Sequence, residues 1–290
     1  MIDFRNQWVR NDELRLFVRR AGSGQREPIL FLHGFPESGL SWERQLRAFA
    51  PFRLVAALDG RGFGRSDVPP ALDAYRLDQL VGDVAATVRA LTPGGVTLVG
   101  HDWGGVVAWA TAALRPELVE RLIVVNAPHP TVLQRRLDDD PAQRSASGYI
   151  SRLTTGPAPT PEQLWQATFG DTEAQGLISA GERAHLLASW RRPGAIEAML
   201  NWYRAAPFDF GAVGGTGAGR MAEPMRVTVP ALVIWGMDDT LLLPGLLTGL
   251  DALVADLTIE RVVGAGHAIL RERPEHVTSL IADYLATRSR

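Results

Sequence analysis

Apolar residues along this chain gather into two kinds of run, and the two kinds alternate. Short, mostly apolar runs at 28–32, 53–58, 96–99, 119–125, 229–235 and 257–263 read as strands, the fully apolar 28–32 of the kind a sheet covered on both faces needs. Longer stretches with apolar residues three and four apart lie between them, most clearly at 77, 80, 81, 84, 85 and 88, which predicts a helix over 77–91. Further helices are expected over 41–49, 106–114, near 244–252 and over 274–285, the last with Pro274 in its first turn. Residues 8–20 alternate instead, as two short strands around an Asn11-Asp12 turn would. Strand and helix in alternation predict an α/β fold: a mostly parallel central sheet flanked by helices and joined by right-handed crossovers.

The pattern changes after Pro130. Residues 131–222 carry helical stretches at 162–169 and 195–204 and no clear strand. Their joints are rich in proline and glycine, as in Gly156-Pro157-Ala158-Pro159, and the glycine-rich run 211–219 reads as a mobile surface loop. The expectation is a core domain over 1–130 and 223–290, with 131–222 inserted as a helical cap, or lid, between two of its strands.

Composition narrows the chemistry. At 290 residues, 46% of them apolar, the chain is long enough for one large α/β domain plus an insertion. A net charge of −2 gives no reason to expect nucleic acid or an anionic membrane as partner. The chain has no cysteine, which excludes disulfides, thiolate nucleophiles and Cys-ligated metals, and no lysine, which excludes Schiff bases. The first twenty or so residues lack a signal-peptide core, and the 106–114 helix is too short to span a bilayer, so the cytoplasm is the expected setting. The loop Asp59-Gly60-Arg61-Gly62-Phe63-Gly64-Arg65-Ser66-Asp67 lacks the third glycine and the following helix of a dinucleotide site. Arg61 and Asp67 are expected instead in structural ion pairs.

The chemistry centres on Thr97-Leu98-Val99-Gly100-His101-Asp102-Trp103-Gly104-Gly105-Val106. A strand, a small-residue turn and an apolar helix make a nucleophile elbow, usually written G-x-S-x-G. Here the tip is Asp102 rather than serine. A carboxylate is already ionised at neutral pH and needs no base in order to attack. It displaces a leaving group from an sp3 carbon and becomes an alkyl ester, which water activated by a histidine must then break. The plainer alternative is an aspartate capping a helix.

Asp102, Asp239 and His267 follow one another in nucleophile–acid–base order, each just beyond the carboxyl end of an expected strand. Among six histidines only His267 follows a strand in a glycine turn; His33 and His101 adjoin motif glycines and read as buried and structural. Asn126 occupies the alternative position for the acid but cannot carry the charge that stabilises an imidazolium.

Over nearly its whole length the chain resembles epoxide hydrolases of the α/β-hydrolase fold. The resemblance rests on His33-Gly34-Phe35-Pro36-Glu37-Ser38, Gly100-His101-Asp102-Trp103-Gly104-Gly105, Asn126-Ala127-Pro128-His129-Pro130 and, most specifically, Asn201-Trp202-Tyr203-Arg204. It implies an oxyanion hole from the backbone amides of Phe35 and Trp103. It also implies two cap tyrosines, Tyr203 by motif and Tyr149 by position, that hydrogen-bond the epoxide oxygen. His33, Pro36 and Trp202 are expected beside the substrate, and Phe169, Trp190 and Phe208 suggest an apolar pocket. The implied reaction converts a small apolar epoxide and water to a vicinal diol in a monomer or homodimer, with no metal or organic cofactor. Haloalkane or haloacid dehalogenation by the same Asp nucleophile is the alternative. Against it stand Phe35, where a second halide donor would be expected, and the absence of arginine between the elbow and Arg115. A non-enzymatic binding role would predict a broken triad.

Overall fold

The computed structural model describes residues 2–210 and 223–287. Its strands are β1 (Arg5–Asn11), β2 (Leu14–Ala21), β3 (Ile29–Leu32), β4 (Val55–Leu58), β5 (Val96–His101), β6 (Val119–Val125), β7 (Ala231–Gly236) and β8 (Leu257–Val262). They form one sheet in the order β1-β2-β4-β3-β5-β6-β7-β8. Pairing is antiparallel across β1, β2 and β4 and parallel from β4 to β8. The first hairpin turns at Asp12, whose φ of 51° a short polar side chain tolerates. Trp8 faces Phe17 across it, with ring centroids 5.3 Å apart.

Every residue of β3, β4, β5 and β7 is buried, because helices cover both faces. The two-residue period of a strand divides β3 between the layers. Ile29 and Phe31 pack with Trp42, Leu46, Val277 and Ile281, from the side of α1 (Glu43–Phe49) and the C-terminal helix. Leu30 and Leu32 pack with Leu80, Val84, Val107 and Trp109, from α2 (Leu77–Leu91) and α3 (Trp103–Leu114). Helix α3 is buried continuously from Trp103 to Ala112, so its sequence is apolar all round.

Between β6 and β7 the described chain is helical: α4 (Pro130–Asp139), α5 (Pro141–Ala146), α6 (Tyr149–Thr154), α7 (Pro161–Ala174), α8 (Ala180–Trp190) and α9 (Ala195–Arg204). Sequence periodicity anticipates α7 and α9 but not the others. Pro157 and Pro159 lie in a joint as expected, while Pro130, Pro141 and Pro161 start helices, since a first-turn proline gives up only an N–H that has no helical partner. Side-chain caps complete three of the helix starts, with Asp140 accepting from Ala142 N, Thr160 from Gln163 N and Ser179 from Glu182 N. The 211–219 run lies outside the described residues.

After β8 come α10 (Ile269–Glu272) and α11 (Pro274–Thr287). The helix expected near 244–252 is a single 3-10 turn, Pro244–Leu247, and Gly249 beyond it has a φ of 85°, which no helix residue adopts. No helix among the described residues is long and apolar enough to cross a membrane.

Candidate active site

Asp102 stands between β5 and α3 with φ 50° and ψ −125°, outside the regions an ordinary residue prefers. The bend survives because the backbones around it touch. A Cβ on Gly100 would lie 2.3 Å from the Gly104 carbonyl oxygen, and one on Gly34 would lie 2.6 Å from Asp102 Cβ. The loop after β3 therefore rests directly on the elbow, and Phe35 N donates to Asp102 Oδ1 at 2.7 Å. Trp103 is the first residue of α3, where a backbone N–H has no intrahelical acceptor.

His267 bridges two carboxylates. Its Nδ1 donates to Asp239 Oδ2 at 2.8 Å, and its Nε2 lies 3.6 Å from Asp102 Oδ2. Asp239 is saturated with donors: Asn126 Nδ2 at 2.7 Å on Oδ2, and the Leu241 and Leu242 amides at 2.9 Å on Oδ1. Asn126 also accepts from Gly236 N at 2.8 Å, tying the ends of β6 and β7 together. Sequence reasoning dismissed Asn126 as an acid and missed it as the donor that orients one.

Burial opposes charge on all three groups, and their partners outweigh it. The His267 and His101 rings and the Phe35 amide hold Asp102 below the ordinary carboxylate range. His267, its hydrogen bonds and the Asn126 amide do the same for Asp239. Asp239 and Asp102 together raise His267 well above its ordinary value. The three groups form a carboxylate–imidazole–carboxylate row that favours the protonated ring.

Tyr149 and Tyr203, contributed by α6 and α9, line the same cavity of about 450 Å³ as Asp102 and His267. Burial, reinforced by the Asp102 charge, raises both phenols above their ordinary value, so both keep their protons. Phe35, Pro36, Leu153, Phe169 and Leu241 supply apolar wall. A carboxylate, an imidazole aligned by a second carboxylate and two neutral O–H groups thus converge on one largely apolar space.

Comparison with known proteins agrees with this geometry. Residues 27–274 match the family described as alpha/beta hydrolase fold. The AB hydrolase superfamily protein YfhM of Bacillus subtilis (strain 168) is 34% identical, over 96% of this chain and 97% of its own. Epoxide hydrolase 3 of Xenopus tropicalis is 32% identical, over 96% of this chain and 76% of its own. The chain belongs to the epoxide hydrolases of the α/β-hydrolase fold. A solved Bacillus megaterium epoxide hydrolase, crystallised with an inhibitor, superposes on it with a TM-score of 0.85 at 28% identity, over 97% of this chain and 100% of that one.

In this epoxide hydrolase the Asn201-Trp202-Tyr203-Arg204 motif is a mounting bracket for Tyr203. Trp202 Nε1 donates to Arg61 O at 3.0 Å, while Arg204 Nε donates to Thr154 O at 3.3 Å, at the end of the helix that carries Tyr149. Arg61 is itself fixed by a buried ion pair with Asp83 at 2.6 Å, and Asp67 pairs with Arg15 at 3.0 Å, both structural as expected.

Two expected substrate contacts lie elsewhere. His33 Nε2 accepts from Gly60 N at 3.1 Å and Nδ1 donates to Gly34 O at 2.8 Å, so both ring nitrogens are occupied away from the cavity. Trp202 packs edge-on against Phe63 and Trp103 at 5.2 and 5.9 Å and does not line the cavity either. Pro36 does line it. Phe208 lines a small adjoining recess behind the tyrosines, and Trp190 donates to Pro36 O at 2.9 Å as packing. Tyr75, in what reads as a surface segment, is 1% exposed and donates to Pro69 O at 2.6 Å.

At one end of the cavity Arg271 forms ion pairs with Glu37 of the loop after β3 and, at 2.7 Å, with Glu182 of α8. Burial disfavours its charge, but the two carboxylates outweigh that and raise its pKa, while Arg271 and His101 hold the buried Glu37 low in turn.

Proposed function

We propose that the enzyme opens an epoxide through a covalent ester on Asp102 and releases a vicinal diol. The observation that carries this reading is Asp102 itself, with Oδ1 on the Phe35 amide and Oδ2 toward His267, in a cavity shared with two phenols. Oδ2 attacks a ring carbon. The carbon–oxygen bond breaks, and the alkoxide takes a proton from Tyr149 or Tyr203, which donate without first needing to be charged.

Ester formation removes the negative charge of Asp102, one of the two that keep His267 protonated. Its basicity falls, and the imidazolium proton is released to the phenolate. Neutral His267, oriented by Asp239, then takes a proton from water, and the hydroxide attacks the ester carbonyl. The Phe35 and Trp103 amides stabilise the oxyanion. Collapse expels the diol oxygen that began as Asp102 Oδ2, which takes the proton on His267; the new Asp102 carboxyl then gives its own proton to His267, restoring the starting ionisation. In this reading 131–222 is the cap, which supplies the tyrosines, while 1–130 and 223–290 are the core, which supplies the triad. The substrate is a small epoxide with an apolar substituent, in keeping with Leu153, Phe169 and Leu241 in the wall.

The test is a single turnover of a styrene-oxide-type epoxide in 18O-labelled water with enzyme in excess. Unlabelled diol together with label in the Asp102 peptide is the expected result. Labelled diol with an unlabelled peptide would mean direct attack by water and would end the nucleophile assignment. Halide release from a haloalkane, without epoxide turnover, would transfer the reading to a dehalogenase.

A further inference from the structure

One buried cation takes no part in that chemistry. The Arg271 side chain is 8% exposed and sits in the first turn after the His267 loop. Its guanidinium spans from Glu37 to Glu182 and lies over the Phe169 ring, 5.2 Å from the centroid. Its Nε has no partner. One side of this cluster is the 450 Å³ catalytic cavity, to which Arg271, Glu37 and Phe169 all contribute. The other side is a second cavity of about 750 Å³ between α1 and the start of α8, bordered by Leu40, Arg47, Gly181, Glu182 and His185. Arg271 is the one residue common to both linings.

We infer that Arg271 is the end wall of the substrate cavity and sets the length of tail an epoxide can carry. The inference rests on the epoxide reading of the site. A tail reaching past Arg271 must separate the guanidinium from two carboxylates, and Glu37, at 3% exposure, is poorly placed to exchange that partner for solvent. The wall is therefore rigid toward an apolar chain. The substrate class that fits is an epoxide with a compact apolar substituent, and linear alkyl epoxides are accepted only until the chain meets the guanidinium. Removing the side chain joins the two cavities.

The experiment follows kcat/KM along linear terminal epoxides from butene oxide to dodecene oxide. In the wild type the value should rise with buried chain and then fall. In Arg271→Ala the fall should move to longer chains, raising the long-to-short ratio at least about tenfold. Where loss of the counter-ion to Glu37 prevents folding, Glu37→Gln/Arg271→Ala removes both charges, and the ratio is read in that background. The chain has no cysteine, so Gly181→Cys provides a single thiol on the outer cavity, at a site where a new Cβ meets nothing closer than 4.0 Å. A bulky maleimide there should erase the long-chain gain in Gly181→Cys/Arg271→Ala and leave the profile of Gly181→Cys alone unchanged. An unshifted profile in the Arg271 variants, or inhibition of the labelled Gly181→Cys protein that keeps Arg271, would overturn the wall. Failure of every protein, wild type included, to turn over butene oxide would instead count against the epoxide reading.

Discussion

The two halves of the site are held by different forces. Asp102, Asp239, His267 and the Phe35 amide each lie just beyond the carboxyl end of a parallel strand, and continuous backbone pairing fixes their register. Tyr149 and Tyr203 lie on helices joined to each other by Arg204 to Thr154, in a layer tied to the core by separate side-chain contacts such as Trp202 to Arg61 and Arg271 to Glu182. Each such contact contributes about 1 kcal/mol, roughly doubling where a charge is involved. In the proposed reaction the sheet-borne half performs the covalent steps, which demand fixed geometry. The helix-borne half there donates protons and shapes the pocket, and it is the part that can be adjusted residue by residue.

Substitutions should therefore act as all-or-none in the first half and by degrees in the second. Asp102→Asn should lower kcat by about 10⁴-fold or more and abolish ester formation, checked by mass spectrometry after mixing with substrate. It also sharpens the electrostatics. With one of its two carboxylates gone, His267 should titrate at lower pH in the variant, and an unchanged imidazole titration by NMR would refute the charge-row account.

Tyr149→Phe and Tyr203→Phe should each slow ring opening by about 10²-fold while leaving ester hydrolysis intact, as separated by stopped-flow measurement of the two half-reactions. Equal slowing of both steps would mean the tyrosines serve only to pack the two halves together. Asn126→Ala leaves Asp239 one donor short and Gly236 N without an acceptor, which should cost about 1–3 kcal/mol in a denaturant titration. Arg204→Ala should cost less than about 1 kcal/mol, its ion pair with Glu197 being partly exposed, and show instead as a modest rise in KM. The pH dependence divides in the same way. Asp102, held below the ordinary carboxylate range, should keep the alkylation step active well into acid, lost only as pH falls through that lowered pKa. The stability that Asp239 contributes should likewise be present above the unfolded carboxylate value and be lost as pH falls through its own lowered value.

The same division governs what the sequence reveals. β6, α2 and α9 are legible to the residue because a buried run or a 3.6-residue stripe is a local property. The triad is legible because each member carries its own glycine turn. His33 and Trp202 are named correctly as parts of motifs, but which way a side chain faces depends on Gly60, Phe63 and Arg61, far off in the sequence. Arg271 is illegible for the same reason, since its partners Glu37 and Glu182 lie 234 and 89 positions away. Helices α5 and α6 escape notice because six residues are too few to show a stripe, α8 because its apolar face is weak, and α4 because Val132, Leu133 and Leu137 stand among charged residues.

The hydrogen bond between Asn126 and Asp239 joins residues 113 positions apart, and the whole helical excursion departs and returns between them. Whatever is spliced into that gap, its two ends are already stapled at the acid of the triad. Doubling the length of a closed loop costs only about 0.6 kcal/mol. A lineage could thus lengthen, shorten or exchange the roof over this catalyst, and with it the molecules admitted, while the acid beneath stays where the staple holds it.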